Sequence, residues 1–155
     1  GDFDELNQKT VLPDYCDNPT VNAILAYYLQ QAEDAEIQVE AECYVPLELP
    51  VGSAELAMVL ANALENAIHA CGKLSGEQEK SIAVRILHVP HLVLEVVNTY
   101  DGEVQFDNEG LPAAKESGHG IGTRSIAAFA EKYGAVIDYQ ADETMFRFRL
   151  LVNNS

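Results

Sequence analysis

Residues 55–71, reading ELAMVLANALENAIHAC, carry the strongest periodicity in the chain and constrain its fold more than any other stretch. Leu56, Val59, Leu60, Ala63, Leu64, Ala67, Ile68 and Cys71 recur at the i, i+3, i+4, i+7 spacing of a helix that buries one face. A helix of this kind needs a sheet or other helices to cover it. Its other side is polar in an organised way. At roughly 100° per residue, Asn62, Asn66 and His69 project within about 60° of one another, with Glu65 at the edge. Polar residues on the outer side of an amphipathic helix are ordinarily only solvated. Two carboxamides and an imidazole on one face are also a surface that can hold a ligand, and the rest of the chain has to decide between the two.

A length of 155 residues with 48% hydrophobic and 22% charged residues suits one soluble globular domain. No apolar run approaches the roughly 18 residues that cross a bilayer. The 25 acidic residues outweigh 9 basic ones, for a formal charge of −16, which argues against a nucleic-acid or anionic-membrane surface. A polyanionic ligand would have to be held by local backbone donors, a metal ion and a few placed cations. Cys16, Cys43 and Cys71 are an odd number at wide spacings, the pattern of neither a disulfide framework nor a zinc site, and a reducing compartment is the simpler reading. Cys71 lies on the apolar helix face and is expected to be a small buried hydrophobe.

In chain order, residues 1–17 read as a linker or the end of a preceding element. Asn18 is the expected N-cap of a helix, with Pro19 in its first turn and Val21, Ile24, Leu25, Tyr28, Leu29 and Ala32 at helical spacing. Then Ile37, Val39, Ala41, Cys43 and Val45 alternate with polar residues as in a half-buried strand. Ser53 is the expected cap of the 55–71 helix and Gly72 its stop. After a polar loop, 73–80, strands 81–88 and 92–98 are close enough for a hairpin through Pro90. Residues 99–117 show no periodicity and form a loop of the length used for lids and binding loops. The stretch 118–126, GHGIGTRSI, opens a third helix with Ile121, Ile126, Phe129, Ala130 and Tyr133 inward. Strands 135–140 and 145–152 complete a mixed, largely antiparallel sheet covered on one face by three helices, an α+β two-layer sandwich. The domain is expected to span 18–152, leaving 153–155 as a tail.

Gly118, Gly120 and Gly122 alternate at a helix start, where unpaired N–H groups and the positive dipole end favour a phosphate and glycine permits close approach. A tight loop entering a helix explains the same glycines. The stretch is not the dinucleotide fingerprint, since no strand leads directly into it, and there is no P-loop lysine. His88 and His91 lie near each other without a third ligand in view. Asp101, Glu103, Asp107 and Glu109 lack calcium-loop spacing and read as solvated acids.

Together and in this order, ANALENAIHAC, VVNTYDG and GHGIGTRSI resemble the N box and the first and second glycine boxes of the GHKL superfamily. That superfamily is the Bergerat-fold group of sensor histidine kinases, DNA gyrase, Hsp90 and MutL, and the resemblance covers residues 18–152. Among its members the helix ending, the NxxxN pair and the HGIG turn look most like the peptide-sensing quorum and sporulation kinases.

The resemblance implies an ATP site in which Asn66 ligates magnesium through its side-chain oxygen. Asn62 stands where the hydrolysing branch carries a glutamate base, and an amide there suits a kinase better than a hydrolase. His69 would lie near the phosphates. Gly118, His119, Gly120, Ile121, Gly122 and Thr123 would form the phosphate turn, with Lys115 a mobile cation. Asn98 replaces the aspartate that accepts the adenine amino hydrogen, a task a carboxamide also performs. Tyr100 departs from the DxGxG pattern, where it would close over the base or partly fill the pocket, and Gly102 keeps the pattern.

The implied function is the catalytic domain of a two-component histidine kinase, passing the γ-phosphate of MgATP to a histidine on a dimerisation domain. None of the four histidines lies on such a helix, so no catalytic residue is assigned within this sequence. The implied partners are that domain, a response regulator and, in the whole protein, a second copy of the chain. The implied location is the cytoplasmic side of a membrane-anchored protein. A nucleotide-binding regulatory module and an anti-sigma-type serine kinase are the alternatives.

Overall fold

The computed structural model describes residues 15–88, 91–102 and 119–153, with backbone alone for 119–123. Asn18 caps the first helix, α1 (Pro19–Asp34), as its sequence suggests. Its Oδ1 accepts the N–H groups of Thr20 and Val21 at 3.2 and 3.1 Å, and Pro19 follows where a missing N–H costs nothing. α1 ends with Glu36 at φ 63°, a left-handed turn that lets the Ile37 N–H reach the Ala32 carbonyl at 3.0 Å.

Next come β1 (Gln38–Tyr44), α2 (Ser53–Gly72), the antiparallel pair β2 (Ser81–Leu87) and β3 (Leu92–Thr99), α3 (His119–Tyr133), and the pair β4 (Val136–Ala141) and β5 (Met145–Val152). The strands form one sheet in the order β1-β2-β3-β5-β4, with β1 parallel to β2 and the other pairs antiparallel. This is the expected α+β arrangement of three helices and a mixed, largely antiparallel sheet. Among the described residues, no helix is long and apolar enough to cross a membrane.

The core lies between α2 and the inward side of the central strands. Leu56, Leu60, Leu64 and Cys71 are fully buried, and Ile68 is half-buried. Opposite them stand Ile82, Val84 and Ile86 of β2, Leu92, Leu94 and Val96 of β3, and Phe148, Leu150 and Val152 of β5. Each fully buried leucine contributes about 1.5–3 kcal/mol relative to exposure. α2 packs on β3 with α1 on one flank and α3 on the other, so the helix that dominates the sequence also dominates the fold.

The outward side of the sheet is organised by charge. The pairing register sets Glu42, Arg85, Glu95, Arg149 and Asp138 side by side across all five strands, alternating in sign. Arg85 meets Glu42 at 3.3 Å and Arg149 meets Glu95 at 2.7 Å. The Arg85–Glu42 pair is exposed on both sides and adds at most about 1 kcal/mol, while Glu95 in the second pair is half-buried.

Two expectations are corrected. Ser53 does not cap α2. Gly52 occupies that position without a side-chain hydrogen bond, and Ser53 is the first helical residue. The Ser53 hydroxyl is instead engaged by Asn18 Nδ2 at 3.0 Å, a partner from the start of α1. The alternation in β1 is also only partly realised. Ile37 and Val45 at its flanks are buried and Val39 and Cys43 half-buried, but Ala41 is exposed. β1 is an edge strand with a neighbour on one side only, which leaves its middle uncovered.

Candidate functional site

Asn62, Asn66 and His69 are all half-buried on α2, whereas Glu65 beside them is exposed. The asparagine face is therefore partly covered and not fully solvated. The end of α2 is tied to the ends of two strands by Cys71. Its thiol lies 3.5 Å from the Thr99 carbonyl and 3.7 Å from the Ser81 carbonyl, and Thr99 Oγ1 accepts the Ser81 N–H at 3.0 Å. Burial pushes the Cys71 thiol above its ordinary value, against the hydrogen bonds to Thr99 and Ser81, which pull the other way. This junction holds the last turns of α2 beside the end of β3, where Asn98 sits. Sequence reading gave Cys71 a place in the core but not this linking role.

Asn98 is 3% exposed, on the same sheet face as Leu94 and Val96, and its Nδ2 donates to the Thr99 carbonyl at 3.0 Å. A carboxamide buried at the end of a strand, under the helix that carries Asn66, suits a recognition residue. Tyr100 behaves differently from a residue lying over a ligand. Its N–H continues the ladder to the Thr144 carbonyl at 3.0 Å, its hydroxyl donates to the Asp142 carbonyl, and its ring meets Phe146 edge-on at 6.0 Å. Burial, with the Asp142 and Asp101 carboxylates, pushes its hydroxyl up, so it stays a donor. Tyr100 is buttressed by the β4–β5 turn.

Gly102 follows at φ +83°, and a Cβ built there would stand 3.0 Å from the Glu143 carbonyl oxygen. Both the left-handed backbone and the close approach require glycine. Gly102→Ala is expected to cost about 1–2 kcal/mol in urea unfolding. It should also loosen the contact between the end of β3 and the β4–β5 turn, read as faster amide exchange at Tyr100. Wild-type exchange and stability in the variant would refute the requirement.

The backbone of α3 begins at His119, so Gly120, Ile121, Gly122 and Thr123 fall within its first turns. The first four N–H groups of a helix have no partner within it, and here two of the residues concerned are glycines without a side chain to screen them. Arg124, exposed just beyond, is a cation the sequence reading passed over. Its signal was its place directly after the glycine turn. Lys115 and Gly118 lie outside the described residues.

The far end of α3 is clamped to the start of α2. The Tyr133 hydroxyl accepts the Gly52 N–H at 3.1 Å and donates to Glu55, and Lys132 Nζ meets the other Glu55 oxygen at 2.8 Å. Hydrogen bonds from Lys132 and Tyr133 hold the Glu55 carboxyl below its usual range.

The groups present fit a magnesium nucleotide. Asn66 offers a hard amide oxygen, and the start of α3 offers phosphate donors. Among the described residues no cluster of three or more His, Cys, Asp or Glu could hold a metal alone. A magnesium ion at Asn66 would thus complete its shell with phosphate oxygens and water, as that ion commonly does.

The chain is a layered α+β sandwich in which an asparagine-bearing helix packs beside a glycine-started helix. The model of the GHKL domain matches residues 52–153, about two thirds of the chain, and the chain belongs to that family. No curated protein sequence matches it. The fold is shared with solved histidine kinases. The mycobacterial sensor histidine kinase MprB superposes with a TM-score of 0.60 at 16% identity, over 86% of this chain and 92% of that one. The histidine kinase domain of the Erythrobacter litoralis blue-light activated kinase EL346 gives 0.62 at 15%, over 94% and 71%. The Acinetobacter baumannii histidine kinase AdeS gives 0.58 at 17%, over 97% and 72%.

Proposed function

We propose that the chain is the ATP-binding catalytic domain of a two-component sensor histidine kinase. It binds MgATP between α2 and the start of α3, and the γ-phosphate passes to a histidine on a separate dimerisation domain. The observation that carries this reading is the clamp between the end of α3 and the start of α2, within a chain of the GHKL family. The last turn of α3 is fastened to the first turn of α2, which favours opposite directions for the two helices. About eleven residues separate Glu55 from Asn66 and Gly122 from Tyr133, roughly 16 Å along each axis at 1.5 Å per residue. An antiparallel pair of these lengths would set the N-terminal N–H groups of α3 level with Asn66, which supports the reading.

In this site Asn66 holds magnesium, and Asn62 and His69 line the phosphates. The α3 start, with the turn before it and Lys115, receives the phosphate oxygens, and Asn98 reads the adenine edge. Magnesium supplies charge neutralisation when bound, which matters in a chain whose formal charge of −16 repels a free nucleotide. An amide at Asn62 takes no proton at neutral pH, so the site protects ATP from water and keeps it as a donor. The motifs support a peptide-sensing kinase, a membrane-anchored dimer with this domain on the cytoplasmic side, acting on a response regulator.

Titration calorimetry is expected to show binding of ATP with magnesium and little or none without it. Label from γ-labelled ATP should then pass to a histidine-bearing dimerisation domain added in trans. Absence of heat with MgATP overturns the nucleotide reading. Binding without transfer favours the regulatory module, which the partly committed amide of Asn98 and the buttressed Tyr100 also support.

A further inference from the structure

Cys16 and Cys43 are far apart in sequence but neighbours in space. The N–H groups of Tyr15 and Cys16 both donate to Asn22 Oδ1, at 2.6 and 3.3 Å, and the Cys16 thiol lies 3.6 Å from the Asn18 carbonyl. This anchors the segment before α1 and fixes Cys16. Across from it, Cys43 at the end of β1 faces the same cavity as Cys16. That cavity is about 480 Å³ and is also lined by Tyr15, Tyr44, Val45 and His88. A small reagent has room to reach the pair. Both cysteines are free thiols, and burial with the neighbouring Cys16 pushes Cys43 up, so it rests as the neutral form.

We propose that Cys16 and Cys43 are an oxidative modification site, closed into an intramolecular disulfide by a small-molecule disulfide of the glutathione type. One protein thiolate displaces a glutathione thiolate from oxidised glutathione and forms a mixed disulfide. The second protein thiol gives up its proton and attacks the protein sulfur of that bond, and the remaining glutathione thiolate leaves and takes up a proton. Two protein thiols are oxidised and one small disulfide is reduced to two thiols. In a reducing compartment such a pair stays open and closes transiently under oxidation. The bridge fastens the chain just before α1 to the edge strand, and restricts how anything joined ahead of residue 15 sits on the domain. It lies at the His88 end of β2, whereas Asn98 pairs with Ile82 at the other end. Nucleotide binding and bridging are thus separable.

The test is to incubate the reduced chain with oxidised glutathione and map unreduced peptides by mass spectrometry. A linked peptide joining Cys16 to Cys43 is expected, with free thiols falling from three to one and Cys71→Ala still forming the bridge. The thermal midpoint should rise by roughly 5–10 °C and return on reduction. In Cys43→Ser, Cys16 should carry only a glutathione adduct. Separate adducts on the two cysteines of the wild-type chain, a bridge through Cys71, or links only between chains would each overturn the proposal.

Discussion

Replacing Asn18 with alanine is expected to lower the unfolding free energy by about 3 kcal/mol, the largest effect of any single polar substitution among the described residues. The side chain is 1% exposed and works in two directions. Its oxygen caps α1 through Thr20 and Val21, worth about 1 kcal/mol. Its amide nitrogen donates to the Leu47 carbonyl at 3.1 Å and to Ser53 Oγ at 3.0 Å, joining the start of α1 to the approach and first residue of α2. Alanine removes both of these hydrogen bonds, at about 1 kcal/mol each. Asn18→Ser separates the roles, because a serine hydroxyl can cap but is too short for the second pair, and it should recover about 1 kcal/mol. Urea melts of the wild type and both variants, with similar slopes, measure the division. Equal stability of all three would show that Asn18 joins nothing.

The two tasks of Asn18 also mark where the sequence was readable. The capping task follows from local order, asparagine before proline and a helical stripe, and the structure agrees. The joining task depends on Ser53 arriving from another helix. Local rules therefore assigned Ser53 to its own helix end, where Gly52 stands instead. The same division runs through the molecule. Periodicity located α2, the β2–β3 pair and the inward face of the sheet, because each repeats a local spacing. Contacts between distant positions carry no spacing signal. Cys16 and Cys43 read as unrelated cysteines and line one cavity, Tyr133 read as a core tyrosine and clamps Glu55, and Tyr100 read as a pocket residue but is bound to the β4–β5 turn. For the candidate site, the order of three short motifs was the legible part. How α2, the end of β3 and α3 stand to one another required the sheet register and the α2–α3 clamp.

Asn66→Ala is expected to weaken magnesium-dependent ATP binding by at least about 100-fold, equivalent to about 2.7 kcal/mol, while leaving the fold intact. The two halves of this expectation have separate grounds. The fold does not lean on the Asn66 side chain, which is half-buried and makes no hydrogen bond among the described residues, so the unfolding free energy should change by less than about 1 kcal/mol. Binding does lean on it. On the proposed function, an excess of acidic residues repels the triphosphate, the metal that neutralises the phosphates is the condition for binding, and Asn66 is the protein ligand proposed for that metal. Alanine removes the only oxygen at that position, whereas Asn66→Asp keeps an oxygen and should retain more affinity. Glu77→Ala, exposed in the α2–β2 loop, should bind like wild type. Calorimetry at fixed magnesium separates the outcomes. Equal affinity in Asn66→Ala would remove this helix from the site, and loss of binding together with loss of fold would move Asn66 from the ligand to the core.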